Sequence, residues 1–149
     1  MIQTRGAPWM GSITLLLVGA TAVAVALSAR RSEVAVCRET LRGLIDGSQT
    51  VGRSINWEQL QAMGVDVGAT YRRLANEREQ AAYRRAFIAQ CAQGFRRARG
   101  SADSFRRWRL LTREPGRIIV AADYEAKHKT ILVALSDSGT KKVESIQWQ

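Results

Sequence analysis

Residues 118–148 read IIVAADYEAKHKTILVALSDSGTKKVESIQW. Arg117 to Tyr124 (RIIVAADY) and Thr130 to Ser136 (TILVALS) are short apolar, β-branched runs, the composition of buried strands. Between them Glu125-Ala126-Lys127-His128-Lys129 is a polar hairpin tip. Asp137-Ser138-Gly139-Thr140 is a second turn signal. Lys142 to Trp148 (KVESIQW) follows, with Val143, Ser145 and Gln147 alternating against Glu144, Ile146 and Trp148. Three consecutive strands joined by short turns must be antiparallel neighbours. Just upstream, Phe105 to Leu111 reads as a less regular strand, ended by the turn Glu114-Pro115-Gly116.

Further towards the amino end the period changes from two to between three and four. Leu74, Ala75, Ala81, Ala82, Ile88, Cys91, Phe95 and Ala98 lie near one stripe, which predicts a long helix from about Ala69 to Arg99, stopped by Gly100-Ser101. Val34, Cys37, Leu41, Leu44 and Ile45 predict an amphipathic helix from about Ser32 to Ile45, stopped by Gly47-Ser48. Ser54-Ile55-Asn56-Trp57-Glu58 reads as the start of a short helix capped by Asn56, with Val65-Asp66-Val67-Gly68 as a connector. Helices first and strands afterwards predict an α+β domain, its helices packed on an antiparallel meander of three to four strands. No internal repeat is visible.

Composition bounds the rest. The chain has 149 residues, 23 Lys+Arg, 13 Asp+Glu and one His, a net charge of +10. A hydrophobic content of 46% excludes disorder of the whole chain, and two Pro with 12 Gly exclude collagen-like classes. Residues 13–29, ITLLLVGATAVAVALSA, carry no charge. As a helix they would extend about 25 Å, close to spanning length when Trp9, Met10 and Gly11 are added. This predicts an N-terminal tail (1–12), a single-pass transmembrane signal anchor (13–29) and one domain (32–149), helical over 32–100 and a sheet over 101–149. Ala22-Val23-Ala24 and Ala24-Val25-Ala26 also offer small-x-small cleavage sites, so a cleaved signal is the alternative. Ala20, Ala24 and Ser28 place small residues on one helix face, where a partner helix could pack. Arg30, Arg31, Arg38 and Arg42 favour a cytoplasmic domain by positive-inside counting. The short tail with Arg5 has the export layout, which places the domain on the extracytoplasmic side of the inner membrane.

The element order, together with the terminal stretch and its Gly turn and closing Trp, resembles the cystatin-like superfamily, including the nuclear-transport-factor-two-like domains. The resemblance covers about Ser32 to Gln149. It implies helices on a bent antiparallel sheet. For a small domain behind a single membrane helix, it implies an accessory or assembly subunit of an envelope machine.

Catalytic and metal chemistry are poorly provided for. The one histidine, His128, sits between Lys127 and Lys129 at a hairpin tip, and spacing places no second acid or base beside Asp123 or Glu125. No phosphate-binding loop, nucleophile elbow or Cys-x-x-Cys occurs. The expectation is a non-enzymatic protein without cofactor or metal. Cys37 and Cys91, both on apolar stripes, are a candidate disulfide. Closing a loop of about 55 residues would contribute roughly 4 kcal/mol on the chain-entropy model; two buried free thiols are the alternative.

The basic excess is concentrated. Residues 71–117 hold 13 Arg against four acids. Phe95-Arg96-Arg97-Ala98-Arg99 and Phe105-Arg106-Arg107-Trp108-Arg109 interleave aromatics with arginine. The expected docking surface comprises Arg84, Arg85, Arg96, Arg97, Arg106, Arg107 and Arg109, facing a membrane-protein partner or lipid headgroups. A cytoplasmic-facing domain that binds nucleic acid or anionic lipid is one alternative, with nucleic acid disfavoured because no recognised motif accompanies the charge. A small-ligand pocket protein is the other.

Overall fold

The computed structural model describes residues 33–149. Helix α1 occupies residues 33–46, and its stripe of Cys37, Leu41, Leu44 and Ile45 is buried. Gly47 ends it in the left-handed region, at φ +74, and Ser48 N–H closes back on the Gly43 carbonyl at 2.9 Å. A side chain there would be strained, and its Cβ would also meet Ala92 at 3.2 Å. A 3-10 turn, Gln49–Ser54, leads into the β1–β2 hairpin, Gln61–Ala62 and Val65–Asp66. Met63 and Gly64, both at positive φ, make its two-residue turn. Helix α2 is Val67–Arg72 and helix α3 is Glu77–Arg97. The strands β3 (Phe105–Glu114), β4 (Arg117–Tyr124), β5 (Lys129–Ser136) and β6 (Val143–Trp148) complete the chain.

The sheet order is β2-β1-β6-β5-β4-β3. The consecutive strands β3 to β6 form the antiparallel meander that the turn signals predict. β1 adds to its other side in parallel with β6, Gln61 opposite Ser145 and Ala62 opposite Ile146. Ile118, Val120, Ala122 and Tyr124 of β4 join Ile131, Val133 and Leu135 of β5, and Val143 and Ile146 of β6, in one core with the α1 stripe, Trp57, Tyr71 and Ile88. Each Ile, Val and Leu among them contributes roughly 1.5–3 kcal/mol by burial. Arg109 pairs with Ala121 and Thr112 with Ile119, on the sheet face away from that core.

Several expectations are corrected. The sheet is six-stranded and mixed, where a three- to four-stranded antiparallel meander is expected. The transmembrane, single-pass reading is corrected as well: no helix among the described residues is long and apolar enough to cross a membrane. The stretch 13–29 read as that helix, with Ala20, Ala24 and Ser28, lies outside the described residues. The predicted helix 69–99 is two helices. Asn76 caps α3, accepting from Glu79 N–H at 3.0 Å, while Glu79 accepts from Ala75 N–H at 2.9 Å. These local bonds satisfy helix-start donors that a continuous helix would have used internally. The predicted short helix at Ser54–Glu58 does not form as expected: Ile55 bridges Val143, Asn56 N–H bonds the Val143 carbonyl at 2.8 Å, and the Asn56 side chain donates to Glu144 at 3.1 Å.

Candidate functional site

The predicted docking arginines separate into two groups when their partners are counted. On β3, Arg107 and Arg109 both reach the Asp123 carboxylate, at 3.0 and 3.1 Å, and Arg106 lies 3.8 Å from Glu125. Thr130 also donates to Asp123, at 3.1 Å. Partial burial pushes the Asp123 carboxyl up, but Arg109, Thr130 and Arg107 outweigh it and hold it below its ordinary value. Asp123 is therefore a charged anchor for the β3 arginines at neutral pH. Those cations are partly neutralised by the protein itself.

The α3 arginines differ. Arg84 points inward: it donates to the Tyr71 hydroxyl and to Glu77, each at 2.6 Å, and its guanidinium sits 5.9 Å from the Tyr71 ring centre. The Glu77 bond raises its pKa against the opposing effect of burial. Arg78, Ala82, Arg85, Ala89, Gln93 and Arg96 instead step by three and four along one exposed stripe, with Arg97 and Arg99 nearby. The eighteen residue-to-residue steps from Arg78 to Arg96 span about 27 Å of helix. Arg78, Arg85, Arg96, Arg97 and Arg99 have no ion-pair partner among the described residues. No acid occurs between Gln80 and Arg97. Of the seven docking residues expected from sequence, Arg85, Arg96 and Arg97 thus lie on one uncompensated helix surface. Arg106, Arg107 and Arg109 lie on β3, and Arg84 belongs to neither.

A cleft of about 580 Å³ lies where the 3-10 turn, α2, α3 and the start of β6 meet. Gly52, Arg53, Trp57, Tyr71, Arg84 and Lys142 line it. Phe87 meets Trp57 edge-on at 5.6 Å, and the Trp57 indole N–H donates to the Gly52 carbonyl at 2.9 Å. The sequence gives little sign of this site, because its lining comes from residues 49–58, 71, 84 and 142, which share no local pattern.

Other candidates are structural. Cys37 and Cys91 are free thiols, so the candidate disulfide is not formed. Burial pushes Cys37 up to about 12 and Cys91 to about 11. Such thiols are protonated and weakly nucleophilic at neutral pH. His128 is exposed at the β4–β5 tip, with φ 49. Among the described residues no group of three His, Cys, Asp or Glu could hold a metal ion.

The chain matches no protein-family model, no curated protein and no solved structure.

Proposed function

We propose that this domain is a non-enzymatic accessory or assembly module that docks an acidic segment of a partner protein along α3. The observation carrying the proposal is the stripe Arg78, Arg85 and Arg96, flanked by Arg97 and Arg99, which the rest of the described domain leaves without counter-charges. On β3 the domain answers its own arginines with a carboxylate, as Arg107 and Arg109 show with Asp123. A helix face that keeps several cations apart carries a repulsive cost, and an acidic partner relieves it. Ala82 and Ala89 between the arginines keep the stripe low, so a partner chain can approach the helix backbone closely. The element order, a long helix before a four-strand meander, supports keeping the cystatin-like and nuclear-transport-factor-two-like resemblance within this proposal.

The test is titration of the full chain with a fluorescent polyglutamate peptide, with anionic vesicles and duplex DNA as parallel arms at one salt concentration. The expected result is tightest binding to the peptide, weakened about tenfold by Arg85→Gln, Arg96→Gln and Arg97→Gln combined, and unaffected by Arg106→Gln. Tighter binding to DNA or to vesicles, or a triple variant that binds the peptide as well as the parent, would overturn the proposal.

A further inference from the structure

We infer that the cleft between the 3-10 turn, α2 and α3 is a binding site for a small organic anion, its acidic group held by Arg53 and Lys142 and its apolar body set against Trp57 and Tyr71. None of Arg78, Arg85 or Arg96 lines this cleft, so the inference is independent of the docking proposal.

Three observations converge. The first is size: about 580 Å³ suits a molecule of roughly ten to twenty heavy atoms, within the range of small-ligand sites. The second is charge. Arg53, Arg84 and Lys142 face the cleft against one acid, Glu58. Arg84 is held by Tyr71 and Glu77, so it is a fixed positive wall whose own charge is largely answered. Arg53 and Lys142 have no ion-pair partner among the described residues, which leaves two cations for an incoming anion. The third is the aromatic floor. Trp57 and Tyr71 belong to the core and are only 7% and 6% exposed, so the ring area they present to the cleft is small. It is held rigid before any ligand arrives because the rings lie 6.0 Å apart and are braced by Phe87 and Tyr83. A bare inorganic anion would use only the cations. A planar or apolar body would also gain contact with the rings and displace water from the cleft.

Phosphate monoesters and carboxylates share this chemistry, and the two are separable by probe. Phenyl phosphate, benzoate and inorganic phosphate are each titrated into the full, isotopically labelled chain. The readout is the Trp57 indole N–H resonance, whose bond to Gly52 forms part of the cleft wall. Saturable shifts with phenyl phosphate or benzoate, at least about tenfold tighter than with inorganic phosphate, are expected, and the better of the two names the acidic group. Arg53→Gln with Lys142→Gln should weaken that binding about tenfold or more. Both side chains are without side-chain hydrogen bonds among the described residues, so the substitutions remove no hydrogen bond from the fold, and an unchanged melting temperature of the variant accompanies the titration. Arg85→Gln with Arg97→Gln should leave it unchanged. An absence of saturable shifts up to about 10 mM, equal affinity for inorganic phosphate, or undiminished binding by the Arg53/Lys142 variant would each overturn the inference.

Discussion

Glu33 is a fully buried carboxylate at the first described turn of α1, and its charge is answered by two cations brought from far along the chain. Arg113 of β3 donates to it, and Lys141, just before β6, does so at 2.6 Å. Burial pushes the Glu33 carboxyl up, yet hydrogen bonds and charge from Lys141 and Arg113 prevail and hold it below 4.5. A carboxyl with a depressed folded-state pKa stabilises the fold above its unfolded value and loses that contribution as pH falls through the folded value. Glu33→Gln should therefore cost about 1–3 kcal/mol at neutral pH, because Lys141 loses its anion and Arg113 keeps only Asp137, at 3.6 Å. The gap between parent and variant should close progressively as pH drops below 4.5, read by urea unfolding at a series of pH values. A gap independent of pH would show that packing, not the ion cluster, sets the cost. The buried thiols behave in the opposite sense: their raised pKa values keep them protonated, and this contribution fades only as pH rises above 9. At pH 8 an alkylating reagent should modify half-buried Cys91 slowly and Cys37 only on unfolding, a difference that peptide mass mapping resolves.

At the scale of elements, packing between short segments decides more than helix or strand preference. Gly68, in the first turn of α2, sits against the loop before β1: its N–H bonds the Leu60 carbonyl at 2.9 Å, and a Cβ there would clash with the Glu58 carbonyl oxygen. Arg72 of the same helix also donates to that oxygen. Gly68→Ala must therefore push α2 away from residues 58–60, and a destabilisation of about 1–3 kcal/mol is expected, measured by thermal melting against Gly94→Ala. Gly94 has open space around its missing Cβ, so alanine there should be neutral or stabilising by up to about 1 kcal/mol. The same segment shows why part of the fold is illegible in the sequence. β4, β5 and β6 declare themselves through long β-branched runs and Gly turns, and β4 keeps the predicted bounds Arg117 to Tyr124. β1 and β2 have two residues each, too few for any alternation, and exist because β6 offers an unpaired edge. Asn56 carries a cap-like pattern but spends its side chain on Glu144 in that pairing. The stripe from Leu74 to Ala98 looks continuous because small residues suit either face, yet Ala82 and Ala98 are exposed while Tyr83 and Phe87 pack on the core.

Across the whole molecule the charge excess is legible in the sequence, but its division into structural and available cations is not, because partners such as Asp123 and Glu33 are contributed from other elements. The cleft lining is illegible for the same reason, being assembled from four separate segments. That division has a thermodynamic consequence. With a net charge of +10 the chain repels itself, and unpaired arginines on α3 add to the repulsion, offset at Arg96 and Arg97 by the negative C-terminal end of the helix. Arg78→Gln, Arg85→Gln and Arg96→Gln together should leave the melting temperature unchanged or raise it at low salt. Arg107→Gln with Arg109→Gln should lower it, because Asp123 then loses both of its arginine partners. Salt screens exposed charges beyond about 8–10 Å, so added salt should shrink the gain of the α3 variant more than the loss of the β3 variant, whose contacts are at 3.0 and 3.1 Å. Melting curves of both variants at two salt concentrations decide the point. If the α3 arginines prove as stabilising as the β3 pair, they belong to the fold and are not held free for a partner.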